Sequence, residues 1–154
     1  MKKIDFKKIK IDIRPWQELT MLGGFIFYFL LLIFMLALQQ LTLFYRLIFG
    51  FLFTFLIVLG IRSFYFKSRP NQQIYRNFIE KLDASSFPSL HTARVTFLAL
   101  LFSFHLQQIY TTIFFSIIAL LIIYSRVHLK KHDWKDLLGG IILGLITFWL
   151  SSFY

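Results

Sequence analysis

The sequence predicts an all-α fold: an integral membrane helical bundle of about five transmembrane helices, preceded by a basic interfacial segment. Three observations predict it. Hydrophobic residues make up 58% of the chain and charged residues 16%, whereas a soluble domain is about 45–50% apolar and about 25% charged. Five apolar runs approach the ~20 residues with which an α-helix crosses a hydrocarbon core ~30 Å thick. The charges collect in segments that alternating spans place on one face. The 154 residues suffice for one domain, read as a single membrane-embedded unit over 1–154, with 1–20 the basic interfacial segment and 21–154 the helical core.

In chain order, residues 2–14 alternate lysine with isoleucine and phenylalanine, a pattern that suits an interfacial helix and equally a solvated basic tail. No small-residue cleavage site follows the first apolar run, so this segment does not read as a cleavable leader. The spans cover residues 21–38, 43–61, 90–106, 109–124 and 137–153, with Arg46 near one end of the second and Arg62 just past the other. Gln39-Gln40 and Gln107-Gln108 mark short connections on one face. The basic N-terminus, the loop 62–89 and the segment 125–135 must then share the opposite face. Ile74, Phe78, Ile79 and Leu82 fall at helical spacing, which predicts a short helix lying on the membrane. Gly140 and Gly144 form a GxxxG pair that predicts close helix packing in the fifth span.

The net charge is +10, from 17 Lys+Arg against 7 Asp+Glu. Such a balance fits nucleic acid, anionic lipid or an anionic substrate. The hydrophobicity makes nucleic acid the least favoured of the three, so none is expected, and makes the bilayer itself a partner. The chain has no cysteine, which excludes disulfides, thiolate metal sites and cysteine nucleophiles.

Three clusters on the charged face carry chemistry: Arg62-x6-Arg69-Pro70 leaving the second span, Pro88-Ser89-Leu90-His91 entering the third, and Ser125-Arg126-x5-His132-x3-Asp136 between the fourth and fifth. Arg62, Arg69 and Arg126 bring three guanidinium forks to one surface, and a guanidinium matches phosphate oxygens bidentately. Pro88 suits the first turn of a helix, with Ser89 and His91 in that turn, and a helix N-terminus presents free N–H groups to an anion. Asp133 followed by Asp136 predicts an N-cap with an acidic third position at the start of the fifth span. Two helix starts and three arginines describe a phosphate site.

His132 and Asp136 are four apart, one turn along a continuous helix. A carboxylate there can accept one imidazole N–H and leave a lone pair on the other nitrogen, which makes the ring a nucleophile. His91, from another helix, can protonate a leaving oxygen. His128, His132 and Asp136 also have i, i+4, i+8 spacing, but the surrounding arginines would repel a dication, so no metal and no cofactor is expected and His128 reads as structural. Arg94, one turn after His91, can reach either a phosphate or a lipid headgroup.

These clusters resemble the type 2 phosphatidic acid phosphatase superfamily, whose pattern is Lys-x6-Arg-Pro, Pro-Ser-Gly-His and Ser-Arg-x5-His-x3-Asp. The third element matches fully at Ser125, Arg126, His132 and Asp136. Arg62 stands for lysine in the first, and Leu90 for glycine in the second. The resemblance covers roughly residues 60–140. It implies a phosphohistidine on His132, orientation by Asp136, general acid catalysis by His91, and phosphoryl binding by Arg62, Arg69, Ser89 and Arg126, without a metal. The substrate it implies is a phosphorylated membrane lipid: a polyprenyl diphosphate, phosphatidylglycerophosphate or phosphatidic acid. Leu90 would resist a left-handed backbone. The Pro-Ser-Leu-His variant also resembles sphingolipid phosphotransferases, which leaves transfer to an alcohol as the alternative. The family core has six spans, and this chain lacks the first. A non-catalytic lipid-binding protein would not need His91, His132 and Asp136 together.

Topology bears on the substrate. Lysines 2, 3, 7, 8 and 10 with Arg14 precede the first span, and further Lys and Arg lie in the two other segments of that face. The positive-inside rule puts the site on the cytoplasmic face.

Overall fold

The structure, a computed structural model, describes residues 13–71 and 73–153. Most of the basic alternation at 2–14 lies outside the described residues. Seven helices follow one another: α1 (Arg14–Met21), α2 (Phe25–Ala37), α3 (Leu41–Phe64), α4 (Phe78–Ala84), α5 (Leu90–Leu106), α6 (Ile109–His128) and α7 (Trp134–Ser151). Among the described residues there is no strand, only an isolated bridge between Ser68 and Ser85. Four segments are long and apolar enough to span a bilayer: Arg14–Ala37, Leu41–Phe64, Ile109–His128 and Trp134–Ser151. The shorter apolar Leu90–Leu106 is the fifth. At 1.5 Å per residue it is about 25 Å long, and it lies inside the bundle against α3, α6 and α7.

The first apolar run is broken where the sequence reads one span. Gly24 is extended and starts α2. α1 therefore turns away from α2 and packs on α6, with the Trp16 ring against Tyr124 and His128. The segment 14–20, assigned to the interface from its charge, is thus helical and in contact with the bundle.

Both Gln-Gln turns reverse the chain through a left-handed residue, Gln39 at φ 55° and Gln107 at φ 51°. A polar side chain at such a position suits a membrane surface. The short helix in the long loop forms at Phe78–Ala84, capped by Asn77, whose side chain accepts from Glu80 N at 2.8 Å. Leu82 is buried, Phe78 and Ile79 are exposed, and Ile74 lies outside the helix.

The core sits between α5 and its neighbours. Tyr28, Leu32, Met35, Leu43, Leu47, Phe97, Leu98 and Leu101 form the largest cluster. Outward-facing apolar residues such as Ile26, Leu30, Leu56, Leu120, Ile142 and Trp149 are exposed, a surface that water disfavours and lipid tails solvate. The tightest seam is α5 on α7, where the GxxxG pair works as its spacing predicts. A Cβ on Gly140 would lie 2.6 Å from Ser89 O, and one on Gly144 2.7 Å from Ala93 O. Backbone thus packs on backbone directly beside the motif residues.

Candidate active site

One end of the bundle gathers the end of α3, the α3–α4 loop, the starts of α5 and α7, and the end of α6. The α5–α7 seam aligns two of these: Ser89 N donates to Asp136 O at 3.0 Å. Ser89 is the N-cap of α5, its Oγ accepting from Thr92 N and from Thr92 Oγ1 at 3.0 Å. Pro88 thus precedes the cap instead of occupying the first helical turn. Leu90 is the first helical residue, so glycine is not required there. Leucine packs onto Val58, Ala93 and Leu143.

The link from α6 to α7 explains the spacing of the third cluster. Lys131 N donates to Arg126 O at 3.1 Å and Lys130 N to Val127 O at 2.8 Å, with Lys130 left-handed at φ 53°. This is a Schellman ending with lysine where glycine is usual. It turns the chain back so that His132 N also reaches Arg126 O, at 3.3 Å. Asp133 then caps α7. Its Oδ1 accepts from Asp136 N and Asp136 Oδ2 accepts from Asp133 N, both at 3.0 Å, a reciprocal capping box. His132 lies just before this helix, so its approach to Asp136 spans the helix start and not one turn of a continuous helix.

His132 is buried, 3% exposed. Its Nε2 lies 3.4 Å from Arg126 Nη2 and its Nδ1 3.5 Å from Asp136 Oδ2. A guanidinium only donates, so Nε2 carries the lone pair and Nδ1 the proton, which faces the carboxylate. At 3.5 Å that pair is apposed and not yet bonded. Burial pushes His132 below the ordinary histidine value, Arg126 and Arg69 push the same way, and Asp136 opposes them. The balance favours the neutral imidazole, the form a nucleophile needs.

The arginines differ in placement. Arg126 is buried and held at Nη1 by Thr20 Oγ1, 2.9 Å away on α1. Arg69 donates to Gln73 Oε1 at 2.9 Å and to Asp83 O. Arg62 donates to Leu82 O at 3.2 Å and Pro88 O at 3.1 Å, so it braces the entry to α5. Among the described residues, Nε of all three is buried without a hydrogen-bond partner, and an acceptor-rich anion suits such donors. His91 and Arg126 line one cavity of about 450 Å³ with Lys131, Thr20, Met21, Phe25 and Ile26. Its wall thus passes from cationic to apolar.

Two residues do not join the site. Arg94 is buried with its guanidinium 4.8 Å from the Phe51 ring and 5.9 Å from those of Phe25 and Tyr28, a cation–π cage between α2, α3 and α5. His128 stacks near Trp16 and Tyr124, apart from His132 and Asp136. Two residues that sequence reasoning missed do join it. Thr20 comes from a helix with no motif. Lys67 donates to Asp133 Oδ2 at 2.6 Å and Asp136 Oδ1 at 2.7 Å. Burial lowers the Lys67 ammonium, but the two carboxylates outweigh it and hold it above its ordinary value.

Fold and site together define a multi-pass membrane protein with cations clustered beside a buried histidine, His132, that a carboxylate faces at one end of the bundle. The chain belongs to the PAP2 superfamily, whose family model matches residues 44–154. Its fold is similar to that of LpxE from Aquifex aeolicus, with a TM-score of 0.76 at 22% identity, covering 92% of this chain and 86% of that one. It is also similar to a transmembrane PAP2-type phosphatidylglycerolphosphate phosphatase from Bacillus subtilis, with a TM-score of 0.69 at 25% identity, covering 91% and 74%. No curated protein matches the sequence.

Proposed function

We propose that this chain is an integral membrane lipid phosphatase working through a phosphohistidine on His132. One observation carries the reading: His132 Nε2 beside Arg126 Nη2 at 3.4 Å, with Asp136 behind Nδ1 at 3.5 Å. Nucleophile, phosphate-binding cation and orienting carboxylate are thereby grouped. The Nε2 lone pair attacks phosphorus and the P–O bond to the lipid oxygen breaks; the bound phosphate anion favours the imidazolium form of His91, which gives its proton to that oxygen. Arg126 and Arg69 stabilise the phosphoryl oxygens, as electrostatic preorganisation requires. Ser89, whose hydroxyl hydrogen is free to donate, completes the cradle, and Arg62 acts by holding Pro88 and the start of α5. Water then attacks phosphorus, His91 takes its proton, and the P–N bond breaks to release inorganic phosphate. No metal enters this route.

The cavity that runs from Arg126 and Lys131 to Met21, Phe25 and Ile26 fits a lipid with a terminal phosphate or diphosphate. Phosphatidylglycerophosphate comes first in a panel with phosphatidic acid and a polyprenyl diphosphate, because the Bacillus subtilis neighbour is a phosphatidylglycerolphosphate phosphatase. The basic excess around the site supports a cytoplasmic active site.

The test is phosphate release from that panel by purified protein in detergent. The parent protein should form an acid-labile phosphoryl adduct, and His132→Ala should abolish it and lower phosphate release on the order of 10³-fold or more. Near-normal release by His132→Ala overturns the mechanism. Appearance of a phosphorylated alcohol in place of free phosphate would identify a phosphotransferase.

A further inference from the structure

Lys67 has no part in the reaction just described, yet it makes the shortest ion pairs of the site. It lies on the α3–α4 loop, two residues before Arg69, and reaches the start of α7. Its Nζ is 2.6 Å from Asp133 Oδ2 and 2.7 Å from Asp136 Oδ1. The two carboxylates are already locked together by the reciprocal capping box. Asp136 is fully buried, and Asp133 is about half exposed. Like charges held so close disfavour each other's ionisation unless a cation sits between them. Lys67 is that cation.

The other oxygen of Asp136 faces His132 Nδ1 at 3.5 Å. A charge-assisted bond near 2.7 Å outweighs an apposition at 3.5 Å. The contacts therefore run from ammonium to carboxylate, across the 3.5 Å apposition to the imidazole, and on to the Arg126 guanidinium. We propose that Lys67 is a positioning residue for the nucleophile: it clamps Asp133 and Asp136 from a separate loop and, by sharing Asp136 with His132, limits how strongly that carboxylate draws on the imidazole. This role rests on the phosphohistidine reading.

Every charge around the ring enters the test. Arg126 faces it from α6, Arg69 from the α3–α4 loop, Asp136 from α7 and His91 from α5. Lys131 and Asp133 adjoin it in sequence. Arg62 on α3 and Asp83 on α4 act further out, through Arg69 and Asp136. Removing the Lys67 charge leaves Asp136 and Asp133 unscreened, so the imidazolium gains stability and His132 titrates higher. Removing the Asp133 charge leaves Lys67 wholly to Asp136, so His132 titrates lower.

The experiment is an NMR titration of the His132 ring in detergent, paired with the pH profile of kcat/KM. Lys67→Gln should raise the titration midpoint by about one unit, the lower end of what a charge within ~6 Å does. It should lower kcat/KM about tenfold below that midpoint and little above it. Lys67→Arg should return both toward the parent. Asp133→Asn keeps an N-cap residue and should move the midpoint down, so a generally damaged site cannot mimic the pair of opposite shifts. Lys135→Gln, an exposed charge on the same helix, should move neither. If Lys67→Gln does not fold, Asp133→Asn carries the test alone. An unmoved midpoint, or shifts of one sign in both variants, overturns the Lys67 role. Midpoints that move as expected while the rate profile does not follow would uphold the coupling and overturn His132 as nucleophile.

Discussion

Gly140→Ala adds one methyl group to the seam that holds the site together. The new Cβ would meet Ser89 O at 2.6 Å and Thr92 Cβ at 2.8 Å. Ordinary contact begins at 3.4 Å, so α5 and α7 must separate by roughly 0.8 Å at the level of Ser89. Overpacking of this kind costs about 1–3 kcal/mol, while alanine in place of glycine in a helix returns about 0.5–1 kcal/mol. The net loss of stability is therefore small, from about zero to 2.5 kcal/mol. Activity should suffer more. Ser89 and His91 ride on α5 and Asp136 on α7, joined by the 3.0 Å bond from Ser89 N to Asp136 O. A misplacement approaching 1 Å between reacting groups costs about 10²-fold. Gly60→Ala is the control, because nothing lies within 4 Å of a Cβ there. The assay is kcat/KM for phosphate release beside a thermal melt in detergent. Gly140→Ala should fold and lose about two orders of magnitude, and Gly60→Ala should match or slightly exceed the parent in stability with unchanged rate. Parental activity in Gly140→Ala, or equal losses in both variants, would refute the idea that this seam sets the site.

Further outcomes follow from other parts of the molecule. The His132 ring is held below its ordinary value by burial and by Arg126 and Arg69, so kcat/KM should have an acid limb below pH ~6.5 and fall as pH drops through it. The unfolded chain binds the extra proton first, so stability should also fall with pH in that window, as a melt series from pH 7 to 5 would record. Activity should survive excess EDTA and be blocked by vanadate, a mimic of pentacoordinate phosphorus; loss on chelation with rescue by a divalent ion would contradict the arginine-based route. Arg94→Met should leave turnover near the parent value and stability unchanged or improved, because it replaces a buried charge with an apolar group of similar length; a large loss of kcat would give Arg94 a part in the chemistry. Single cysteines in this cysteine-free chain test the topology: one beside Lys3 should resist a membrane-impermeant thiol reagent in intact cells and one after Tyr154 should react, the reverse placing the site on the outer face.

The five apolar helices, their order and the gathering of the three charged clusters at one end of the bundle were legible in the sequence, because each rests on local information; the separate helix α1 was not. Apolar runs of bilayer length mark spans whatever their neighbours are. The capping box of Asp133 and Asp136 and the close approach at Gly140 and Gly144 follow from residues three or four apart. His132 and Asp136 were legible for the same reason, although a helix start, and not a continuous helix, joins them. Tertiary structure decided what depends on residues distant in the chain. Arg94 and Arg126 are both buried arginines near helix ends, yet one enters an aromatic cage and the other meets His132, because different helices pack over them. Arg62 braces the backbone just before α5 because the chain between Leu82 and Pro88 returns beside it. Thr20 reaches Arg126 only because α1 breaks from α2 and packs on α6. Lys67 counted in the sequence as one basic residue among many; its meeting with Asp133 and Asp136, 66 and 69 positions away, has no local pattern. Periodicity reports the face of a single helix, and a charge pair across the bundle exists only once helices from both ends of the chain have packed.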